Sequence, residues 1–416
     1  MNPDQRFSTA LRIGVRRQIE HLGKADVVIG IPCYQSGKTV QHVLEMVFHG
    51  LATHYPNASS LIMVSDGGST DDTREIADMF DEKTFRIVKV VTIYRGVPGK
   101  GSALRAIFEA ADFLRPRALA VFDSDLVSIS PQWVRNLLEP VFEGYDFVAP
   151  DYDRFKLDGT ITNTIAHNLT RALYGRRIRQ PIGGDFGLSG AMARHFLRQN
   201  VWETDVARFG IDIWMTTTAI VDGFRLCQAK MGVKVHDRKD PAADLSPMFR
   251  QVVGTIFQMM ETHDAFWKGI HGSSDIPTVG TSDGGTPEAF TVNQEALIEY
   301  FRVGFFHFGE VWRQIVEEAD FAIIRDLAEN GRASRFLLPI ETWVRIVYRY
   351  ASAFHAAPRQ RMKLLDTMIP LYNARVASLI LELEDADADR AEKLFADQAR
   401  TFEEMKPYLL EQWNKT

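Results

Sequence analysis

The feature that most constrains the fold is an alternation in the first 150 residues, where short β-branched runs trade places with stretches of helical periodicity. Val27-Val28-Ile29-Gly30-Ile31 reads as a strand that Pro32 ends, and Thr39 to Leu51 as a helix. Leu61 to Val64, Ile87 to Tyr94 and Leu119 to Phe122 read as further strands, with a helix over Gly101 to Leu114. This βαβ rhythm predicts a parallel sheet with helices on both faces. Ligands of such sheets bind beyond the carboxyl ends of the strands. Every chemically suggestive cluster in this half follows a predicted strand.

Bulk properties narrow the class. With 416 residues, 45% hydrophobic and 25% charged, the chain has the composition of a soluble globular protein of one large or two ordinary domains. A net charge of -6 argues against a nucleic-acid partner. Cys33 and Cys227 form neither a disulfide framework nor a zinc spacing, which points to a reducing compartment. Met1 to Leu22 lacks the apolar centre of a signal peptide. No window reads as the roughly 18 apolar residues that a membrane helix needs. The expectation is therefore a cytoplasmic protein without a membrane partner. From Phe249 onward helical periodicity dominates, apart from a predicted loop at Gly272 to Pro287. This suggests domains at 1–248 and 249–416. The aromatic residues Phe305, Phe306, Phe308 and Trp312 read as core of the helical region. That aromatic-rich region also suggests a homodimer.

Asp123-Ser124-Asp125 ends the apolar run Ala118 to Phe122. Two carboxylates this close repel, and a divalent Mg²⁺ or Mn²⁺ bound to a diphosphate resolves the conflict. A strand-end turn with two solvated acids is the alternative. Asp66, in Ser65-Asp66-Gly67-Gly68-Ser69, is placed to accept hydrogen bonds from a base or ribose; Ser69 and Asp71 also suit helix capping. Lys100, between glycines at a helix start, suits a phosphate, although Gly96 to Gly101 lacks the Walker spacing. Gly184 and Asp185, after Gln180-Pro181-Ile182-Gly183, can approach a sugar or form an ordinary turn. Asp212 precedes a helix-like Ile213 to Val221 and is a candidate N-cap as well as a site acid. His236 ends the strand-like Gly232 to Val235 and is a candidate third metal ligand or a structural histidine.

In this order the pieces resemble the GT-A-fold glycosyltransferases, a Rossmann-like α/β class. More narrowly they resemble the retaining enzymes that make mannosylglycerate, glucosylglycerate or glucosyl-3-phosphoglycerate. The matching stretches are Pro32 to Ser36, Ser65 to Ser69, Pro98 to Gly101, Asp123 to Asp125, Gln180 to Gly184, Gly210 to Asp212 and His236, with Leu371 to Val376 near the C-terminus. The resemblance implies that Pro32, Tyr34, Ser36 and Asp66 line a nucleoside pocket and that Lys100 and Ser124 touch the nucleotide. It implies that Asp125 and His236 bind the metal, with Asp123 holding ribose or metal-bound water. Gly184, Asp185 and Asp212 would surround the donor sugar and the attacking hydroxyl. The family often carries Glu where this chain has Ser36 and Asp185.

The acceptor stretch departs from the 3-phosphoglycerate enzymes. Those tend to show Gly-Arg-Val-Thr, whereas this chain has Gly159-Thr160-Ile161-Thr162. Arg154, Asp158 and Thr162 instead resemble the glycerate-binding set, and an arginine can grip a carboxylate in a bidentate pair. Arg154 or Lys156 can also serve a phosphate. The resemblance thus implies hexose transfer from UDP-glucose, GDP-glucose or GDP-mannose to D-glycerate, giving a glycosylglycerate compatible solute. Rivals stand beside it: a glucosyl-3-phosphoglycerate synthase, a phosphatase using Asp-x-Asp, and a non-catalytic nucleotide-sugar-binding protein; a sugar nucleotidyltransferase would want a Gly-rich, Arg-containing loop that Ile31 to Lys38 lacks.

Overall fold

The computed structural model describes residues 8–81, 84, 86–236, 246–282 and 284–415. Residues 1–7 of the N-terminal reading and Asp283 of the predicted loop lie outside the described residues, as do 237–245 just before the expected boundary at 248.

The strands are β1 (Val27–Cys33), β2 (Ser60–Asp66), β3 (Ile87–Ile93), β4 (Ala118–Val121), β5 (Phe147–Asp153), β6 (Arg176–Arg177), β7 (Phe186–Ser189), β8 (Leu226–Val233), β9 (Ser274–Asp275) and β10 (Thr278–Val279). The first helices are α1 (Ile13–Leu22), α2 (Val40–His54), α3 (Thr73–Met79), α4 (Lys100–Leu114), α5 (Pro131–Phe142), α6 (His167–Tyr174), α7 (Gly190–Leu197) and α8 (Ile211–Val221). They are followed by α9 (Ser246–Thr262), α10 (Asp264–Lys268), α11 (Gln294–Ile315), α12 (Glu318–Asn330), α13 (Ile340–Ala356), α14 (Arg361–Glu382), α15 (Ala388–Glu404) and α16 (Lys406–Trp413).

Two units share the chain. The first holds 1–153, 179–238 and 276–287, and the second holds 154–178, 239–275 and 288–416. The chain therefore passes between units several times, where the sequence suggested one cut at 248. One reason lies in the predicted loop at 272–287: its Thr278–Val279 pairs in parallel with Gln228–Ala229 and extends the sheet of the first unit.

That sheet runs in the order β10-β8-β5-β7-β4-β1-β2-β3. β1, β2, β3 and β4 are parallel neighbours, as the sequence rhythm requires. β7 departs from the expected all-parallel sheet, running antiparallel to both β4 and β5. It starts from the carboxyl edge, since Val121 pairs with Phe186, so it must run back across the sheet. Both faces are covered. Val27, Ile29 and Ile31 share a core with Val43 and Val47 of α2 and with Val134 and Leu137 of α5. Gly30 faces the other way, where a Cβ would stand 2.6 Å from Ile107 of α4.

β1 also continues past the expected stop, through Pro32 to Cys33. Its pairing with β4 ends at Gly30–Val121, while Pro32 and Cys33 pair only with β2. A proline without an N–H is tolerated where one neighbour is missing.

The second unit is mainly helical, with β6 and β9 paired to each other. Trp312, Trp343, Tyr348, Tyr350 and Tyr372 are among its fully buried side chains. Trp312 stacks on Phe301 at 5.9 Å between ring centroids. Phe306, grouped with the core aromatics by sequence, is instead 83% exposed on α11. One described helix, α14, is long and apolar enough to cross a membrane, which the sequence reading missed; 78% of its apolar window is buried within the protein.

Candidate functional site

The chemically suggestive residues of the first unit gather at the carboxyl ends of its strands. Asp123 follows β4 and is the hub. Its Oδ1 lies 2.7 Å from Lys100 Nζ and its Oδ2 3.5 Å from Lys234 Nζ. Lys100 opens α4, and its ammonium also donates to the Gly184 carbonyl at 3.0 Å and to Asp212 Oδ2 at 3.3 Å. α4 starts close to the segment before α8: a Cβ on Gly101 would stand 1.9 Å from the Val206 carbonyl oxygen.

Electrostatics follow from that crowding. Burial acts to lower the Lys100 pKa, but Asp123 and then Asp212 outweigh it and raise it. For Asp123, burial pushes upward, yet Lys100 and Lys234, with a smaller contribution from His236, hold the carboxyl well below its ordinary range. Asp212 goes the other way. Burial raises its pKa, Lys100 partly opposes this, and the neighbouring Asp123 charge adds to it. Asp212 is not the N-cap of α8; Gly210 holds that position, and no side chain caps the helix.

Asp185 differs from the expectation that it meets the sugar. It is fully buried. Its Oδ1 accepts from the Asp123 amide at 2.7 Å, while its Oδ2 accepts from Lys234 at 2.9 Å and from the Tyr152 hydroxyl. A buried carboxylate persists only with such compensation, and here that compensation makes it a brace beneath the Asp123 turn. Asp66 is enclosed in a similar way. It is fully buried, and it accepts from the Gly68 and Ser69 amides at 2.8 and 3.0 Å and from the Ser69 hydroxyl at 2.6 Å. It therefore shapes its own turn. Asp71 accepts from the Thr73 amide and hydroxyl and from the Gly37 amide, although Asp72 holds the N-cap position of α3 and no side chain caps that helix.

Tyr34 and Ser36 follow β1. Tyr34 is 63% exposed, Pro32 is buried within the strand, and the hydroxyls of Ser36 and Ser124 lie 2.8 Å apart. Thr39 donates to the Ser124 carbonyl at 2.7 Å, tying the Asp123 turn to the start of α2.

Lys234 is the residue that sequence reasoning missed. It is buried and also donates to the Gly183 carbonyl at 2.9 Å. A bulge explains its direction. Val148 pairs with Cys227 and Pro150 with Ala229, but Tyr152 pairs with Gly232 in place of Met231. Gly232 has φ +76°. Paired residues share a face, so the extra residue moves Lys234 onto the face of Tyr152. Its ammonium lies 4.8 Å from the centre of that ring. The available signal was a lysine in an apolar strand run two residues before His236.

His236 lies beyond the end of β8, bridged to Leu126, while Val127 donates to the Val235 carbonyl at 2.9 Å. An imidazole and the Asp125 carboxylate thus belong to adjoining segments. Among the described residues no three His, Cys, Asp or Glu side chains are grouped as a metal cage. Both oxygens of Asp123 face ammonium groups, Lys100 at Oδ1 and Lys234 at Oδ2. The chemistry nonetheless fits one divalent cation. Asp123, Asp125, Asp185 and Asp212 against Lys100 and Lys234 leave a formal excess of two negative charges, and oxygen and imidazole donors suit Mg²⁺ or Mn²⁺.

The residues read as an acceptor set belong to the second unit and follow β5 directly in sequence. Arg154 Nη1 pairs with Asp158 Oδ2 at 3.1 Å, and Thr162 opens a π-helical turn, Thr162–Ala166. Such turns recur at functional sites. Thr160 is engaged elsewhere, its hydroxyl 2.5 Å from that of Tyr372. Lys156 donates to the carbonyls of Leu383, Glu384 and Ala386 at 2.5, 3.2 and 2.8 Å, closing the C-terminal end of α14.

Residues 28–201 match the family described as Glycosyl transferase family 2. Glycosyltransferase AglD of Haloferax volcanii is 30% identical over 122 residues, 29% of this chain and 19% of that protein. The chain thus spans about a fifth of the length of the curated relative it matches. Among solved structures, glucosyl-3-phosphoglycerate synthase from Mycobacterium tuberculosis in complex with Mg²⁺ and uridine diphosphate is 23% identical with a TM-score of 0.44, over 60% of this chain and 83% of that one. The same enzyme with Mn²⁺, UDP-glucose and phosphoglyceric acid is 23% identical with a TM-score of 0.43, over 61% and 85%. The fold is the GT-A α/β type, a Rossmann-like mixed sheet with helices and a helical C-terminal region, and the stretch similar to glycosyl transferase family 2 lies within residues 28–201.

Proposed function

We propose that the protein is a retaining, metal-dependent hexosyltransferase that moves glucose or mannose from a nucleotide-sugar donor to D-glycerate. The observation that carries this reading is the partly buried assembly of Asp123, Lys100 and Asp212 at the carboxyl edge of the sheet. Tyr34, Ser36 and Ser124 flank it as a nucleoside-facing surface. Lys100 stabilises negative charge on the departing diphosphate from a fixed, desolvated position. Asp125 and His236 would hold a divalent cation, which supplies further charge neutralisation at the diphosphate. Asp212 orients the attacking hydroxyl. Retention of configuration accords with the leaving phosphate accepting the acceptor's proton, since Asp123 is tied to two lysines and Asp185 is enclosed.

Glycerate is favoured over 3-phosphoglycerate because Lys156 is committed to a helix end and Thr160 stands where the phosphate enzymes carry an arginine. Arg154 remains as the carboxylate grip. The exposed Tyr300 and Phe306 of α11 accord with a homodimer, and the two buried free cysteines with a cytoplasmic setting.

A matrix of UDP-glucose, GDP-glucose and GDP-mannose against D-glycerate and 3-phosphoglycerate, with Mg²⁺ or Mn²⁺, tests the proposal. The expected result is transfer to glycerate that Asp125→Ala abolishes. Much better turnover of 3-phosphoglycerate would overturn the acceptor assignment. Nucleotide binding without transfer to any acceptor would overturn the enzyme reading.

A further inference from the structure

Lys234 belongs to none of the nucleotide, metal or acceptor contacts above, yet it is enclosed beside Asp123 and Asp185. Its side chain is 3% exposed, and its ammonium reaches the Gly183 carbonyl, Asp185 Oδ2 and Asp123 Oδ2 at 2.9, 2.9 and 3.5 Å. A lysine is brought into such a place only where its charge is compensated. Here the compensation comes from two different aspartates, one of them fully buried, and the ring of Tyr152 closes one side. The β8 bulge is what aims the chain there. With Lys100 on Oδ1 and Lys234 on Oδ2, both oxygens of Asp123 face ammonium groups.

We propose that Lys234 is a positioning residue that divides labour between the two aspartates of the Asp123-Ser124-Asp125 turn. It holds Asp123 as a partner of lysines and so leaves Asp125, with His236, as the protein's contribution to the divalent cation. The same ammonium ties Asp185 to the Gly183 carbonyl, and Asp185 in turn fixes the Asp123 amide. Loss of Lys234 frees one carboxylate oxygen and deepens the negative charge of the site. Metal binding then strengthens while sugar transfer weakens. A lysine with only a packing role would give the opposite sign for metal, because a loosened site binds less. This inference rests on the metal reading above.

Mn²⁺ binding, measured by electron paramagnetic resonance on the full chain without donor or acceptor, tests it. Lys234→Met is expected to bind Mn²⁺ about ten-fold more tightly, within the range by which outer partners of metal ligands typically act. Asp123→Asn in the Lys234→Met background returns the affinity to that of the parent protein. Lys234→Arg, which keeps the charge, stays near the parent value. Because Lys234→Met leaves Asp185 buried beside an apolar group, the double variant Lys234→Met/Asp185→Asn is measured alongside, with the same tightening expected. Unchanged or weaker Mn²⁺ binding in both variants, while Asp125→Ala still abolishes binding in the parent, overturns the role of Lys234 and leaves the metal site standing. Absence of Mn²⁺ binding in the parent, or binding indifferent to Asp125→Ala, overturns the metal reading and this inference together.

Discussion

Gly184→Ala isolates the geometry at the centre of the site. Gly184 has φ +92°, and a Cβ built there would stand 2.1 Å from Asp123 Oδ2 and 3.1 Å from Lys234 Nζ. Real Cβ contacts begin near 3.0 Å, so the carboxylate oxygen must retreat by about 0.9 Å. The oxygen ends a side chain, but ion pairs with Lys100 and Lys234 restrain it. The backbone cost of a non-glycine residue in this region is about 1–3 kcal/mol. That corresponds to a fall in Tm of roughly 5 °C for a unit of this size. Activity is more sensitive, because a misplacement near 1 Å in a catalytic site costs about 100-fold. The expected result is therefore kcat/KM reduced about 100-fold with Mg²⁺ present, a modest fall in Tm and an unchanged near-ultraviolet circular dichroism spectrum. An alanine variant within three-fold of the parent in kcat/KM would refute the claim that the Gly184 backbone and the Asp123 carboxylate must lie this close.

Three further outcomes follow from the same structure. Lys100→Met should lower kcat by about 100- to 1000-fold, the typical effect of removing one preorganised charge-stabilising donor; a change confined to KM would deny it that role. Lys156→Met should destabilise the fold by about 1.5–3 kcal/mol in urea unfolding, since charged donors to three carbonyls are lost. Its acceptor KM should not move, whereas a ten-fold rise without destabilisation would make it an acceptor contact. Burial pushes the Cys33 and Cys227 thiols up to about 12, with Asp66 and Glu143 respectively adding to the shift. Both should stay unreactive toward a disulfide reagent at pH 8 in the native protein and react fully in denaturant; rapid native labelling of either would contradict its enclosure.

Much of the architecture was legible in the sequence because it depends on local patterns. The apolar runs mark β1 to β4 in the sequence, and their endings place Asp66, Lys100 and Asp123 at the sheet's carboxyl edge. Parallel strands buried on both faces must be apolar throughout, so such runs carry a strong signal. Pro32 misled because its effect depends on whether a neighbouring strand is present, which no local window records. Phe306 misled similarly: helical spacing alone does not say which aromatic residues meet another helix.

The sequence alone determined which residue types stand after each strand, and so the chemistry available at the edge: carboxylates, a glycine-flanked lysine and a histidine. The tertiary structure decided how they are used. The antiparallel return of β7 brings Gly184 and Asp185 under Asp123, and one extra residue in β8 turns Lys234 toward them. Asp66 and Asp185, which look like site acids in one dimension, become enclosed braces once their hydrogen-bond partners fold around them. The reason is physical. Residue identity fixes a group's charge and donors, whereas burial and register fix whether that group faces a ligand or its own backbone.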